Sequence, residues 1–263
     1  MNILDKIFAA KCDSLREKVG KTSLAEMQAR AKDMAPPRDF MGVLANASCL
    51  ALIAEVKKAS PSKGIIRENF DPVEIARAYH HAGAHCLSVL TDVEFFQGNP
   101  AYIQKVKEAV PLPVLRKDFT VDAYDVYEAR TLGADAILLI VNGLSDTQLS
   151  EYRDLAESLG MAALIEAHNE EEANRALAAG AKLLGINNRD LETFKTTVEV
   201  GKRVLPQYKG RAFLVGESAM STRADVEAIE QAGAQAVLIG SAFCAAPDVS
   251  AKVLELMGWS AAQ

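Results

Sequence analysis

The feature that most constrains the fold of this chain is a short apolar segment that recurs about every 26 residues along most of its length. Eight such segments, rich in Val, Ile and Leu, occupy residues 52–56, 86–91, 113–116, 136–140, 162–165, 183–186, 212–215 and 236–239. They are continuously apolar instead of alternating, which is typical of strands that are buried on both faces. The interval leaves room for one crossover helix and two short loops, so we expect successive strands to be parallel.

Glycine placed before alternate strands favours closure of these strands into a barrel. An Ala-Gly-Ala or Leu-Gly-Ala triplet precedes every even-numbered segment, centred on Gly83, Gly133, Gly180 and Gly233. Glycine there can end the preceding helix in a left-handed conformation that other residues adopt only at a cost. Because the pattern repeats in pairs, and because a closed barrel has no edge strands, the sequence predicts an α/β fold of the TIM-barrel, or (β/α)8, type.

The segment before the first strand predicts a helical addition to this barrel. Residues 1–50 carry two helical patterns, at 3–19 and 23–32, followed by a Pro-Pro pair. We interpret them as an N-terminal helical extension. The remaining residues, 51–263, are predicted to form a single barrel domain, because one barrel typically takes about 250 residues.

Charge and cysteine usage argue against several classes of protein. The chain has 35 acidic and 29 basic residues and a net charge of −6, which argues against nucleic acid as a partner but allows a small anionic ligand in a locally positive cleft. The four cysteines form no CxxC pair, so neither a metal site nor a disulfide framework is expected. The sequence has no signal-peptide pattern and no apolar run of about 20 residues, and we expect a cytoplasmic protein without membrane contact.

Charged and polar side chains are concentrated at the ends of the predicted strands. In barrels of this kind the chemistry lies at the carboxyl ends of the strands, so these side chains are expected to face one space. They are Glu55 at the end of the first strand and Lys57 just after it, Lys117 after the third, Glu166 after the fifth, Asn187 and Arg189 after the sixth, and Glu217 and Ser218 after the seventh.

Two lysines and one glutamate are the main candidates for acid–base chemistry. An isolated lysine is usually solvated on a loop, but Lys57 and Lys117 end neighbouring odd strands, and we expect partial burial or nearby cations to lower their pKa. A carboxylate such as Glu166 on an apolar strand is costly unless it is paired or lies in a cleft. His168 follows it without metal-ligand partners at suitable spacing and, like His85, is interpreted as structural.

Two turns predict a binding site for phosphate. Ser218 and Ala219 follow the seventh strand, and Gly240 and Ser241 follow the eighth, where such barrels commonly bind phosphate through backbone N–H groups and hydroxyls. Ser60 of the first loop adjoins them. Ordinary βα turns are the alternative interpretation for either turn alone.

Three apolar residues near other strand ends have two interpretations of equal weight. Phe96, Phe119 and Leu138 are placed either to form a wall for an aromatic ring or to pack in the core. The sequence alone leaves both open.

Five of these segments share a pattern with a known family of barrel enzymes. They are Glu-Val-Lys-Lys-Ala-Ser-Pro-Ser at 55–62, Leu-Arg-Lys-Asp-Phe at 115–119, Leu-Ile-Glu at 164–166, Gly-Ile-Asn-Asn-Arg-Asp-Leu at 185–191 and Leu-Ile-Gly-Ser at 238–241. Together they resemble the indole-3-glycerol-phosphate synthase family, and the resemblance covers essentially the whole chain.

The resemblance implies a reaction and a role for each polar residue. The family are carboxy-lyases of tryptophan biosynthesis that convert 1-(o-carboxyphenylamino)-1-deoxyribulose 5-phosphate to indole-3-glycerol phosphate, CO2 and water, without cofactor or metal. Lys117 would be the general acid at the ribulose carbonyl. Lys57 would hold the substrate carboxylate and is the second candidate to protonate the departing hydroxyl. Glu166 and Glu55 would assist proton transfer, and Asn187 would orient the substrate hydroxyls.

The resemblance also implies how the substrate binds. The extension would cover the barrel mouth and exclude water, and association with other tryptophan-pathway enzymes is left open. The phosphate would lie on Ser60, Arg189, Ser218, Gly240 and Ser241, the anthranilate ring would lie against Phe96, Phe119 and Leu138, and Glu217 and Ala219 would complete the binding set. Ala219 departs from the family, which usually has glycine there, and its methyl group is expected to oppose a positive φ and to alter phosphate affinity.

Other functions remain open to the sequence. A phosphosugar isomerase of the Amadori type would use the same phosphate loops, but the first strand does not end in the Cys or Asp of its acid–base pair. A Schiff-base aldolase built on Lys117 is a further option. A non-catalytic barrel that binds a phosphorylated ligand is the alternative from a different class, and the set of charged strand ends argues against it.

Overall fold

The computed structural model describes residues 3–189 and 196–260, in which eight parallel strands form a closed barrel. The strands are β1 (Ala51–Val56), β2 (Cys86–Leu90), β3 (Val114–Lys117), β4 (Ala136–Ile140), β5 (Ala162–Ala167), β6 (Leu183–Asn187), β7 (Phe213–Glu217) and β8 (Ala236–Ile239). Each pairs with the next, and β8 pairs with β1, so the predicted (β/α)8 barrel is confirmed. The observed strands start and end within two residues of the predicted segments, and four of them extend to include polar residues that we expected to follow them.

Helices alternate with the strands, and three more precede them. They are α1 (Ile3–Lys21), α2 (Leu24–Lys32), α3 (Phe40–Ala45), α4 (Pro72–His81), α5 (Ala101–Ala109), α6 (Ala123–Thr131), α7 (Asp146–Ser158), α8 (Glu170–Ala178), α9 (Glu199–Val204), α10 (Arg223–Ala232), α11 (Ser241–Cys244) and α12 (Val249–Met257). Two 3-10 turns, Val141–Gly143 and Leu205–Tyr208, and a hairpin of Ala59–Ser60 with Gly64–Ile65 complete the described elements.

The division into an extension, 1–50, and one barrel domain, 51–263, stays a prediction. Its two ends, 1–2 and 261–263, and the last two residues of the motif at 185–191 lie outside the described residues. No helix within 3–189 or 196–260 is long and apolar enough to cross a membrane.

The glycines before the even strands have the left-handed conformation that the sequence predicted. Their φ angles are +91° at Gly83, +87° at Gly133, +82° at Gly180 and +113° at Gly233. In each case the chain turns from the end of a helix into the next strand, a path that a residue with a side chain follows only with strain.

Strand alternation produces two separate cores. Along β1, Leu52, Ala54 and Val56 face outward into the layer between strands and helices, whereas Ile53 packs inside the barrel. At the amino end of the strands the interior is closed by α3, whose Phe40 and the neighbouring apolar residues are almost fully buried. The interior is therefore lined mainly by apolar side chains at that end, whereas the charged side chains that enter it lie at the carboxyl ends of the strands.

Ion pairs hold α1 against the barrel. Lys11 Nζ lies 2.6 Å from Asp118 Oδ1, and Lys18 Nζ lies 2.8 Å from Glu128 Oε2. Arg116 Nη2 reaches both of these carboxylates, at 3.3 Å from Asp118 and 2.6 Å from Glu128. We call these five residues the docking cluster. They position the first turns of α1 over the carboxyl ends of the strands.

Candidate active site

A cavity of about 500 Å³ lies at the carboxyl ends of the strands, the size range of small-molecule sites. Ile3, Leu4 and Ile7 of α1 line one side of it. The structure brings all fifteen predicted site residues to its wall: Glu55, Lys57, Ser60, Phe96, Lys117, Phe119, Leu138, Glu166, Asn187, Arg189, Glu217, Ser218, Ala219, Gly240 and Ser241. Their individual roles stay predictions.

The pleat of the strands explains why these side chains point inward. Successive side chains alternate between the faces of a strand, so a residue two positions beyond an inward-facing core residue also faces inward. Lys117 stands two residues after Leu115, and Glu166 two residues after Leu164, both in the inner core. The side chains at the end of each strand therefore form the last inward layer, next to the cavity.

Lys117 is the centre of the charged part of the cavity. Its Nζ lies 2.7 Å from Glu166 Oε2 and 3.0 Å from Glu217 Oε2, so one ammonium bridges carboxylates from β5 and β7. Beside it, Lys57 donates a hydrogen bond to Glu55 Oε1. These five side chains, which we call the rim cluster, are between 1% and 15% exposed, which makes their mutual interactions strong.

The expected lowering of the Lys117 pKa is wrong. Burial alone would lower this pKa, but the charges of Glu166, Glu217 and Glu55 outweigh burial and raise it well above its usual value. Lys57 also lies against a carboxylate instead of another cation. The sequence showed two lysines on neighbouring strands, but it did not show that carboxylates would separate them. Lys117 is therefore a charged ammonium in this structure.

The two carboxylates on Lys117 differ in their proton affinity. Burial raises the pKa of Glu217, and the nearby charge of Glu166 raises it further, to about 8 in spite of Lys117. Burial acts in the same direction on Glu166, but Lys117 and His168 together hold its pKa well below the usual value. A pair of carboxyl groups whose pKa values are pushed apart supplies one base and one acid at neutral pH.

Glu217 belongs to this acid–base centre more than to the phosphate end, where the sequence grouped it. Its Oε1 is buried without a hydrogen-bond partner among the described residues, and it lies over Gly185. A Cβ atom at that glycine would be 2.0 Å from Glu217 Oε1, so the position of the carboxylate requires glycine on the neighbouring strand.

Residues of the predicted phosphate site also line the cavity, next to the rim cluster. The hydroxyl of Ser60 is buried without a described partner, and Arg189 Nη1 donates to Ser62 Oγ at 3.1 Å. Gly240 opens α11, and its lack of a side chain is required, since a Cβ there would be 2.4 Å from Glu55 Oε1. Hydroxyls, a guanidinium and the free amides of a helix start are suitable ligands for phosphate.

The turn after β7 holds Ala219 in the conformation that the sequence predicts to be unfavourable for it, and the predicted effect on phosphate affinity stays a prediction. Ser218 and Ala219 both adopt left-handed backbone conformations, with φ angles of +63° and +64°. The methyl group of Ala219 was expected to oppose this conformation, and the fold imposes it nevertheless. Such a residue typically costs about 1 kcal/mol or more.

An aromatic surface forms another wall. The ring centroids of Phe96 and Phe119 are 6.0 Å apart, and Phe8 of α1 packs edge-on against Phe119 at 5.8 Å. Leu138 is buried in the inner core and also reaches the cavity, so the two interpretations offered for it are compatible.

His168 is the residue in contact with the site that sequence reasoning missed. Its Nε2 is 3.4 Å from Glu166 Oε1, and its Nδ1 is 3.0 Å from Glu172 Oε2. The available signal was its position two residues after Glu166, on the same side of the chain. His85 does fit a structural role, because its Nδ1 accepts a hydrogen bond from the Leu52 N–H at the amino end of the barrel. Within the described residues, no group of three or more His, Cys, Asp or Glu side chains is arranged to hold a metal ion.

Fold and site together define a (β/α)8-barrel enzyme with an acid–base centre beside a site suited to phosphate. The family model of indole-3-glycerol phosphate synthase matches residues 4–256. The chain is 48% identical to the indole-3-glycerol phosphate synthase of Roseiflexus sp. (strain RS-1), over 98% of this chain and 99% of that protein. It is 46% identical to the one of Polaromonas sp. (strain JS666 / ATCC BAA-500), over 98% of each chain.

The chain belongs to the indole-3-glycerol phosphate synthase family. Among solved structures, the crystal structure of 3-hexulose-6-phosphate synthase is similar, with a TM-score of 0.63 and 17% identity, covering 80% of this chain and 99% of that one. At that identity the likeness shows a shared fold.

Proposed function

We propose that this chain closes the indole ring of indole-3-glycerol phosphate, starting from 1-(o-carboxyphenylamino)-1-deoxyribulose 5-phosphate and releasing CO2 and water. Membership of the family supports this reaction. The observation that carries the proposal is the contact of the Lys117 ammonium with two carboxyl groups, one with a lowered pKa and one with a raised pKa. Ring closure, decarboxylation and dehydration need a proton donor and a proton acceptor close together.

Ring closure is the step assigned to Lys117. The aryl carbon that bears the carboxylate attacks the ribulose carbonyl, and the carbonyl oxygen gains negative charge as the C–C bond forms. The Lys117 ammonium stabilises this charge and transfers its proton once the oxygen has become more basic than the amine. Glu217, which holds a proton near neutral pH, lies 3.0 Å from Lys117 Nζ and is placed to restore the lost proton.

Loss of CO2 and water completes the indole. Lys57 holds the substrate carboxylate until the C–C bond to it breaks and the electron pair returns to the ring. The hydroxyl formed during closure then leaves as water, with its proton supplied by one of the two lysines. Glu166, the ionised carboxylate, accepts the proton that the ring loses as it becomes aromatic. Glu55 assists through its hydrogen bond with Lys57, and Asn187 orients the substrate hydroxyls.

The rest of the cavity binds the two ends of the substrate. The phosphate is held by Ser60, Arg189 and the turns at Ser218, Ala219, Gly240 and Ser241. The anthranilate ring lies against Phe96, Phe119 and Leu138. The first turns of α1 cover the cavity and exclude water, a role supported by the positions of Ile3, Leu4 and Ile7 in its lining.

The test is to mix the purified chain with the carboxyphenylamino deoxyribulose phosphate and follow indole fluorescence together with release of CO2. We expect both signals in equal amounts, and neither with Lys117→Ala. An isomerase would consume the substrate without releasing CO2, and an aldolase would give a covalent adduct with borohydride. Absence of indole while the substrate still binds would overturn the proposal.

The cellular setting also stays a proposal. All four cysteines are free thiols, as suits a reducing cytoplasm, and fractionation of cells would test that location. Association with other enzymes of tryptophan biosynthesis is a prediction that co-purification would test.

A further inference from the structure

The carboxylates of Glu166 and Glu217 both contact Lys117, but only one of them has a second cationic neighbour. Glu166 Oε2 faces Lys117 at 2.7 Å, and its other oxygen, Oε1, faces His168 Nε2 at 3.4 Å. The second oxygen of Glu217 has no hydrogen-bond partner among the described residues. The two groups therefore differ on the side that points away from Lys117.

His168 is held in place by Glu172. Both the backbone N–H and Nδ1 of His168 contact Glu172 Oε2, at 2.8 and 3.0 Å. The carboxylate of Glu172 is itself fixed in the first turn of α8, where Asn169 Nδ2 donates to it at 3.2 Å and Asn142 Nδ2 at 3.5 Å. Burial alone would raise the pKa of Glu172, but the hydrogen bonds and charge of His168, followed by the hydrogen bond from Asn142, lower it, so the carboxylate and the ring stabilise each other's charged form.

This contact fixes the protons on the imidazole ring. Because the Glu172 carboxylate only accepts hydrogen bonds, Nδ1 must carry a proton. A neutral ring would then turn the lone pair of Nε2 toward the ionised carboxylate of Glu166, which is repulsive, whereas a doubly protonated ring turns an N–H toward it. At 3.4 Å this is a charge pair more than a well-aligned hydrogen bond, consistent with the absence of a described hydrogen-bond partner for Nε2.

The charges around His168 agree with this geometry. Burial alone would lower its pKa, but its close contact with Glu166 and its hydrogen bond with Glu172, together with the charges of both carboxylates, raise it to about 9. These are the titratable groups that face the ring, one from β5 and one from α8. His168 itself is not part of the cavity wall, so it acts on the substrate only through Glu166.

We infer that His168, anchored by Glu172, is a positioning residue for Glu166. Its positive charge holds Oε1 so that Oε2 faces Lys117, and makes Glu166 the ionised member of the pair while Glu217 keeps the proton. The inference rests on the proposed role of Glu166 as the proton acceptor. His168, in the segment after β5, therefore causes the difference in proton affinity between two otherwise similar carboxylates.

The first test compares pH profiles of kcat for His168→Gln, Glu172→Gln and the wild type. Glutamine keeps a side chain of similar reach without the charge, so Glu166 should bind its proton more tightly. We expect the acidic limb to move up by about one pH unit because Glu166 loses a cationic neighbour. We expect kcat near neutral pH to fall about tenfold because Glu166 Oε1 is no longer held in place, with little change in KM. Glu172→Gln should shift the acidic limb of the pH profile in the same direction, but by less than His168→Gln does. His81→Gln, on an exposed position of α4, is the matched control and should keep the wild-type profile.

The outcomes separate this inference from the proposed function. Glu166→Gln is measured alongside, and full turnover in that variant would contradict the proposed role of Glu166 as the proton acceptor. If Glu166→Gln is inactive but folded His168→Gln keeps the wild-type pH profile, only the inference about His168 is overturned.

A second measurement needs no variant to be active. The chain has four histidines, so their ring nitrogens can be followed by 15N NMR in the wild type, with His168 assigned as the signal that is retained when His80, His81 and His85 are each replaced by Gln. We expect this ring to be doubly protonated at neutral pH and to titrate near pH 9. A neutral ring at pH 7 would overturn the inference even if His168→Gln failed to fold.

Discussion

Arg116 and Lys117 are adjacent on β3, yet they belong to two charged clusters of different character. Arg116 points out of the barrel into the docking cluster, where it donates to Glu128 at 2.6 Å, to the Asp125 carbonyl at 3.1 Å and to Thr91 Oγ1 at 3.3 Å. Lys117 points inward into the rim cluster. Strand alternation alone sends these neighbouring cations to opposite faces of the barrel wall.

The two clusters differ in how completely their polar atoms are paired. In the docking cluster, each of the five charged side chains has a described ion-pair partner on another element. Around the rim cluster, Glu217 Oε1, Ser60 Oγ and His168 Nε2 are buried without a described hydrogen-bond partner. Glu217 Oε1 and Ser60 Oγ belong to the cavity wall and can accept hydrogen bonds from or donate them to a ligand, whereas the charged groups of the docking cluster are already paired with each other. Substitutions should therefore separate stability from activity.

The largest expected effect is the loss of activity in Lys117→Ala. Removal of the general acid should lower the rate of indole formation by about a thousandfold or more, with substrate binding largely retained. Stopped-flow fluorescence gives the rate and equilibrium titration gives the affinity. A rate within tenfold of the wild type would contradict an essential role for this lysine.

Next in size is the effect of Glu217→Gln on turnover, which we expect to fall about a hundredfold because an amide cannot supply a proton. The stability of this variant, in contrast to its activity, should rise relative to that of the wild type as the pH increases. The folded-state pKa of about 8 lies above the usual 4.5, so the stability that Glu217 contributes is complete below pH 4.5 and is lost as the pH rises through 8. Glutamine imitates the protonated form at every pH. Urea unfolding should therefore show this variant gaining on the wild type between pH 5 and 8; a parallel pH dependence would contradict the raised pKa.

The same change of side chain in the docking cluster should destabilise the fold. Burial alone would raise the pKa of Glu128, but Arg116 and Lys18 lower it below 4.5. Its stabilising contribution is thus present above pH 4.5 and is lost as the pH falls. Glu128→Gln removes it at neutral pH and should lower the free energy of unfolding by about 2 kcal/mol. The deficit should shrink in acid, and a deficit that is constant from pH 7 to pH 3 would argue against the ion pair as its cause.

The smallest predicted effect concerns the strained turn after β7. Glycine adopts a φ of +64° without strain, so Ala219→Gly should stabilise the fold by up to about 1 kcal/mol, reduced by the greater freedom of glycine in the unfolded chain. It should also tighten binding of inorganic phosphate. A denaturation midpoint lower than that of the wild type would show that the turn is not strained by the methyl group.

Much of the barrel could be predicted from the sequence, because each strand is a continuous apolar segment and each even junction carries a glycine. The ends of the strands were predicted less accurately. Lys117, Asn187 and Glu217 end their strands instead of following them, and each of these strands extends one or two residues beyond the predicted apolar segment. Periodicity of apolar residues does not reveal that extension.

Residue types at the site were predictable, but their electrostatic environment was not. The pKa of Lys117 was predicted with the wrong sign because Glu166 and Glu217 reach it from positions 49 and 100 residues away in sequence. His168 was interpreted as structural because the sequence offers it no metal-ligand partners at suitable spacing, and its contacts with Glu166 and Glu172 become visible only in the fold. Such shifts depend on distances between strands, which sequence spacing does not give.

The most direct measurement compares turnover per folded molecule in Glu217→Gln and Glu128→Gln, two identical changes of side chain in the two clusters. We expect Glu128→Gln to form indole-3-glycerol phosphate within about threefold of the wild-type rate, and Glu217→Gln to be about a hundredfold slower. Equal losses in the two variants, or a larger loss in Glu128→Gln, would contradict the assignment of the chemistry to the rim cluster.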